Sequence, residues 1–353
     1  MLWNDLAPGY AAGLRYEGGS VALSQDMWAY RLLGPSRMGP VRVPAPGAAR
    51  LGDDQVVVRF RAGGICGSDL SYFRGEPADA IPLEDESDYA ACTVGASLHE
   101  IAGEVLASSD PTLPVGANVV GWASAMDGLS ELVVCDTVGL IDHDPDLRPA
   151  AAVMLQPLAC VLYAVEQMRS VRDARAAVIG LGPIGVLFAH VLKTAGAREV
   201  VGVDRIDRSD VGDAFSLDEV VVSSAARWAA RQERAASQPD LVVEAIGHQV
   251  GTLAAAIAAV APGGEIYYFG VPDDHHYPFP MWDFLRKNLT LGSGVTPFSV
   301  RQRVLRAAQD YLHRHPELVD HYVTSVFPSD QAQRAFEVAS TPAPGRLKVV
   351  IEA

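Results

Sequence analysis

Residues 177–204, AVIGLGPIGVLFAHVLKTAGAREVVGVD, decide the fold. The apolar run 176–179 reads as a buried strand. Gly180-Leu-Gly182-Pro-Ile-Gly185 follows it, residues 186–195 repeat apolar side chains at helical spacing, and a second apolar strand, 199–203, ends at Asp204. Strand, glycine turn, helix and strand in this order describe a dinucleotide site. Gly180 permits the tight turn, Gly182 lets the backbone approach a pyrophosphate, and Gly185 lets helix and strand pack closely. Pro183 and Ile184 complete the turn, and the phosphates sit on the helix N-terminus, where unpaired N–H groups and the dipole favour anions. Asp204 follows the last glycine by about twenty residues, where a carboxylate holds both ribose hydroxyls and repels a 2′-phosphate; the cofactor expected is therefore NAD rather than NADP. Arg205 and Arg208 are the side chains placed to meet a 2′-phosphate. With Asp204 ahead of it, Arg205 is expected to stack on adenine or to stay in solvent.

Downstream the alternation persists. A helix is expected over 225–236, a strand over 241–247, a helix over 252–260, and strands over 263–272 and 288–295, the composition and order of a doubly wound sheet. Gly247 and Val271 close two of these strands and are further candidate cofactor contacts. Asp273-Asp-His275-His276 follows them and reads as a solvated loop. Upstream, residues 149–168 have a helical pattern interrupted at Pro157. Residues 27–140 are short strands separated by turn signals, with 41–55 a Pro/Gly-rich loop, which suggests a compact, barrel-like β domain. After an amphipathic helix over 301–313, the tail reads as strand, capped helix and strand, and the last strand, 347–351, resembles the N-terminal β region. The expected fold is therefore α/β, with a discontinuous β-rich domain (1–156 and 297–353) and a Rossmann domain (157–296). Residues 1–26 are set apart as a partly ordered extension.

Bulk properties fit two domains in 353 residues. A net charge of −15, with no basic stripe, argues against nucleic-acid partners. No apolar run reads as a membrane span and the N-terminus lacks the layout of a secretory signal, so no membrane partner and a cytoplasmic location are expected. The four cysteines, Cys66, Cys92, Cys135 and Cys160, are scattered and form no CxxC, which supports neither a disulfide framework nor a cysteine-only zinc knuckle.

A second constellation is Gly63-Gly-Ile-Cys66-Gly-Ser68-Asp69, with Leu98-His99-Glu100 and Gln156-Pro157-Leu158 downstream. Together with the nucleotide site, these motifs resemble the zinc-containing medium-chain dehydrogenase/reductase family, on its sorbitol and sugar dehydrogenase side, from about Met27 to the C-terminus. The resemblance implies that the β-rich domain is GroES-like. It also implies that Cys66, His99 and Gln156 hold a catalytic zinc, with Glu100 a further ligand or a neighbour of the ligands. Thiolate and imidazole suit zinc, and an open position admits an alcohol. Ser68 would hydrogen-bond the reacting oxygen and begin a proton relay, and Asp69 would take the second ring N–H of His99. Gln156 is neutral where the family has glutamate, and it reads equally as a structural residue opening the helix at Pro157. Other departures are Ser71, where the family commonly has a histidine, and Leu98, which replaces a glycine. The lobe with four cysteines is missing, so one catalytic zinc and no structural zinc are expected.

The function expected is NAD-dependent oxidation of a secondary hydroxyl on a polyol, sugar or cyclitol, in a homodimer or homotetramer built through edge strand 288–295. Two alternatives stand beside it: a zinc-independent NAD(P)H reductase of enones or quinones, and a nucleotide-binding protein without catalysis.

Overall fold

A computed structural model describes residues 26–46, 51–76, 89, 92–169, 171–235 and 237–353. Apart from Asp26, the extension expected over 1–26 lies outside the described residues. Three sheets are formed among those described. The first is six-stranded and wholly parallel, in the order Glu219–Val222, Glu199–Asp204, Arg175–Ile179, Leu241–Glu244, Glu265–Tyr268, Thr290–Ser293. Its strands are short, rich in Val and Ile, and buried where helices cover both faces, as a parallel sheet requires. The order reverses between Arg175–Ile179 and Leu241–Glu244, and ligands bind doubly wound sheets at the carboxyl ends of such a pair.

The second sheet is seven-stranded. Gln55–Gly64 lies at its centre, antiparallel to Glu100–Ser108, to Leu132–Asp136 and to the last strand, Lys348–Glu352. Asn118–Trp122 extends it beyond Glu100–Ser108, Leu140–Asp142 follows, and Val323–Pro328 lies parallel to Lys348–Glu352 at the opposite edge. The third sheet is a hairpin of Asp26–Gly34 and Arg37–Pro44. This is the GroES-like β unit beside a Rossmann-like parallel sheet that the sequence leads one to expect.

Several elements depart from expectation. Residues 41–44 are strand rather than loop; Pro40 and Pro44 are tolerated because Arg37–Pro44 has a single partner, so no ladder bond is lost on its other edge. Pro157 does not interrupt a helix. It stands in the first turn of Leu155–Glu166, where its missing N–H has no partner to lose, and the break falls instead after Pro149–Ala152. Residues 149–166 reach a mean hydropathy of 1.4, enough by length and composition to cross a membrane, against the expectation that no run would. The stretch is 67% buried inside the protein, as a core helix is. Strand 263–272 shortens to Glu265–Tyr268, because the N–H groups of Phe269 and Gly270 both turn back to the Glu244 carbonyl. The edge strand Glu219–Val222 is too short and too exposed to show a period, and it is absent from the sequence reading.

One apolar core runs through both large sheets. It joins Ala102, Trp122 and Val350 to Leu158, Val186, Phe188, Val243, Val304 and Leu305. Helices Leu155–Glu166, Pro183–Thr194 and Arg301–Arg314 supply most of its middle layer.

Candidate active site

Cys66 caps the helix Gly67–Arg74 at the end of the central strand Gln55–Gly64. The antiparallel register pairs Gly64 with Glu100, which brings His99 and Glu100 to the same sheet edge from another strand. Ligand atoms of Cys66, His99 and Glu100 lie within 4.8 Å of one another. Asp69 is wholly buried and holds two of the parts together. One carboxylate oxygen accepts from the Cys66 N–H at 2.8 Å. The other lies 2.9 Å from His99 Nδ1. With Nδ1–H donating to Asp69, the lone pair of His99 falls on Nε2, as a metal ligand requires. Burial alone would lower the His99 pKa, but Asp69 and Cys66 outweigh it and hold the ring well above its usual value.

Glu100 is fully buried. Burial pushes its pKa up, and Lys348 pulls it back without cancelling the rise. The Lys348 ammonium, itself buried, stands 2.7 Å from both carboxylate oxygens and also donates to the Ile65 carbonyl at 3.1 Å. Its hydrogen bond goes to Oε1, and Oε2 is left without one. Tyr322 is fully buried, feels the charges of Glu100, Cys66 and Cys160, and has a hydroxyl with no hydrogen-bond partner among the described residues. A thiol, an imidazole and a buried carboxylate whose ligand atoms lie within 4.8 Å of one another are donors that zinc takes, so the residues present fit a zinc ion.

Gln156 is buried on the first turn of Leu155–Glu166, and its amide nitrogen reaches Cys160 Sγ at 3.6 Å. Burial raises the Cys160 thiol to about 11, with His99, Cys66 and Glu100 close enough to act on it. Gln156 thus lies on the wall of the same site through Cys160. Ser68 is half-buried beside Cys66. Ser71 does not extend a relay from it, since its hydroxyl donates to the Ser68 carbonyl at 2.7 Å.

At the order reversal of the parallel sheet, Gly180 has φ +94° and Gly247 φ +77°, values that favour glycine. A Cβ on Gly185 would stand 1.7 Å from the Gly180 carbonyl oxygen, whereas one on Gly182 would meet nothing within 4 Å. The cradle is closed behind and open in front, as a pyrophosphate needs. Pro183 and Ile184 begin the helix Pro183–Thr194. Asp204 locks onto this turn: its carboxylate accepts from the Leu181 N–H at 2.7 Å and the Ile206 N–H at 2.9 Å. Arg205 is exposed. Arg208 is not available to a phosphate at all, being 3% exposed and donating to the carbonyls of Ala343 and Arg346 at 2.9 and 2.7 Å. Val271 is half exposed beyond the sheet, and residues 273–276 form an exposed loop.

Three contributors escape the sequence reading: Lys348, Tyr322 and Glu244. Glu244 is buried and fixes the Gly247 turn by accepting its N–H at 3.1 Å. A signal existed for Lys348, a lone cation inside an apolar terminal strand; Tyr322 and Glu244 carry none.

Comparison with known proteins agrees with this geometry. Residues 150–353, more than half the chain, match the family model described as glucose dehydrogenase C-terminus, and residues 52–142 match the alcohol dehydrogenase GroES-like domain. A Mycobacterium tuberculosis protein named "Probable zinc-binding alcohol dehydrogenase" is 26% identical over 340 residues, covering 85% of this chain and 83% of its own. D-altritol 5-dehydrogenase of Agrobacterium fabrum is 29% identical over 276 residues, covering 69% and 78%. Among solved structures, the alcohol dehydrogenase TADH from Thermus sp. ATN1 superposes with a TM-score of 0.75 at 25% identity, over 93% of this chain and 100% of its own. The fold and site define a two-unit dehydrogenase of the medium-chain class. Within that class, the chain belongs to the zinc-binding alcohol and polyol dehydrogenase family.

Proposed function

We propose that this alcohol/polyol oxidoreductase uses NAD and one zinc ion in the catalytic cleft to oxidise a secondary hydroxyl of a polyol, sugar or cyclitol. The observation that carries the proposal is the convergence of Cys66, His99 and Glu100 within 4.8 Å. Relatives named as altritol and arabinitol dehydrogenases support the substrate class. Cys66, His99 and Glu100 would hold the metal, and the amide oxygen of Gln156 is the remaining donor on that wall. Zinc bound there would supply a Lewis acid to acidify the substrate hydroxyl, and bound nicotinamide would supply the hydride acceptor. Asp69 fixes the tautomer and angle of His99. Ser68 accepts a hydrogen bond from the substrate hydroxyl and passes a proton to water on its half-exposed side, since Ser71 is occupied. Buried walls from Val153, Trp122 and Tyr322 exclude water from the other side.

A panel of polyols and cyclitols incubated with NAD, read as NADH formed, tests the proposal. No turnover on any alcohol, with NADH binding intact, would leave the non-catalytic reading. Turnover of enones or quinones alone, in zinc-free protein, would leave the zinc-independent one.

The preference for NAD follows from Asp204 at the ribose and from the commitment of Arg208 elsewhere. A carboxylate hydrogen bond to a ribose hydroxyl contributes about 1.5–3 kcal/mol, so Asp204→Asn is expected to raise KM for NAD by about 10–100-fold. KM for NADP should fall or hold. Equal losses for both cofactors would mean that Asp204 serves only the backbone of the turn.

We also assign the homo-oligomer interface to the edge strand Thr290–Ser293 and the helix Met281–Arg286 beside it. Met281, Trp282, Leu285, Val295 and Phe298, on these elements and in the residues after them, are exposed at 63, 71, 68, 70 and 56%, apolar surface of the kind that an interface covers. Trp282→Glu with Leu285→Glu should yield monomers by light scattering at micromolar concentration. An unchanged mass would place the interface elsewhere.

A further inference from the structure

Away from the cleft, His190, His315 and Glu317 converge where the helix Pro183–Thr194 packs against the end of Arg301–Arg314, with one ligand atom from each within 4.8 Å of the others. His190 is 5% exposed. Its Nδ1 lies 2.7 Å from the Tyr311 hydroxyl, which also lies 3.0 Å from Thr194 Oγ1 and 3.4 Å from the His190 carbonyl oxygen. With the Tyr311 oxygen accepting, Nδ1 carries the hydrogen and the lone pair of the ring falls on Nε2, the tautomer a metal ligand needs. Nε2 makes no hydrogen bond among the described residues. A partner that fixes one ring nitrogen and leaves the other bare is how ligating histidines are held. The His190 and His315 rings stand edge to face with centroids 4.8 Å apart, and His315 Nδ1 is 3.6 Å from Glu317 Oε1. The Glu317 side chain is 56% exposed, so the cluster opens to solvent on that side.

The geometry points to a second divalent-metal site, formed by His190, His315 and Glu317, that clamps the nucleotide-binding helix to the end of Arg301–Arg314. Two imidazoles and one carboxylate with a position left for water suit zinc. The site uses none of the residues of the catalytic cleft and does not depend on the proposed reaction. It gives this chain, which lacks the four-cysteine lobe, another means of holding its two halves.

The test uses full-length protein stripped with chelator and titrated with zinc alone. Bound metal is counted by elemental analysis after gel filtration, and melting temperature is followed in parallel. Cys66→Ser is the background that silences the cleft. It should still bind zinc and melt several degrees higher with it. Adding His315→Ala should abolish both effects, and adding the solvent-facing Glu317→Ala, which leaves the packed helices intact, should weaken zinc binding by about tenfold or more. Retention of zinc by Cys66→Ser with both His315→Ala and Glu317→Ala would overturn the assignment, as would an absence of zinc from Cys66→Ser alone. Wild type that binds one zinc, lost with His315→Ala and kept with Cys66→Ser, would uphold this site while removing the catalytic one.

Discussion

Cys66→Ala protein is expected to lose one zinc equivalent and to fall in kcat/KM for its alcohol by about a thousandfold or more. A Lewis acid at a reacting oxygen contributes several kcal/mol, and each 1.36 kcal/mol is tenfold in rate. Cys66 supplies the sulfur of the cluster, and its N–H is held by the same Asp69 that orients His99. Alanine keeps that N–H, so the helix cap and the position of His99 survive and the loss is confined to the sulfur. NAD binding, measured by NADH fluorescence, should be unchanged, because the glycine cradle lies on the other sheet. Full zinc content with full activity in the variant would remove Cys66 from the metal site.

Lys348→Met should destabilise the chelated protein by about 3–5 kcal/mol, the cost of leaving a buried carboxylate without its counter-charge. For a chain of this length that is a fall in melting temperature of about 4–7 °C. Glu100 is fully buried, Lys348 is 2.7 Å from both of its oxygens, and one of those oxygens has no other partner. The double change Glu100→Gln with Lys348→Met should recover much of the loss, because no uncompensated charge remains. If the double variant melts no higher than the single one, Lys348 contributes packing rather than charge.

These two residues also show what a sequence discloses and what it withholds. The nucleotide turn was legible because its parts are consecutive: Gly180, Gly182, Gly185 and Asp204 act through local backbone geometry, and the same local geometry is in the structure. Cys66, His99 and Glu100 were legible as motifs, and antiparallel register brings them to one edge. Lys348 was not, since its partner lies 248 residues away and only the pairing of Lys348–Glu352 with Gln55–Gly64 introduces them. Arg208 was misjudged for a related reason. Its spacing from Asp204 placed it near a phosphate, while carbonyls of residues 343 and 346 claim it in the folded chain. Pro157 was misread as a break because a proline's meaning depends on whether it stands in a first turn or an interior one. Short exposed strands such as Glu219–Val222 carry too few residues to display any period at all.

The order of synthesis gives the last strand a further importance. The ribosome delivers Gln55–Gly64 and Glu100 long before it delivers Lys348. Until then the nascent β unit holds a buried acid without its cation and a central strand unpaired at the Ala62–Gly64 end of one edge, the kind of surface that draws in other chains. Completion of the seven-stranded sheet is therefore expected to wait on translation of Lys348–Glu352. Chains stopped short of Lys348 are expected to be held by chaperones or degraded, and not to accumulate as partly active enzyme.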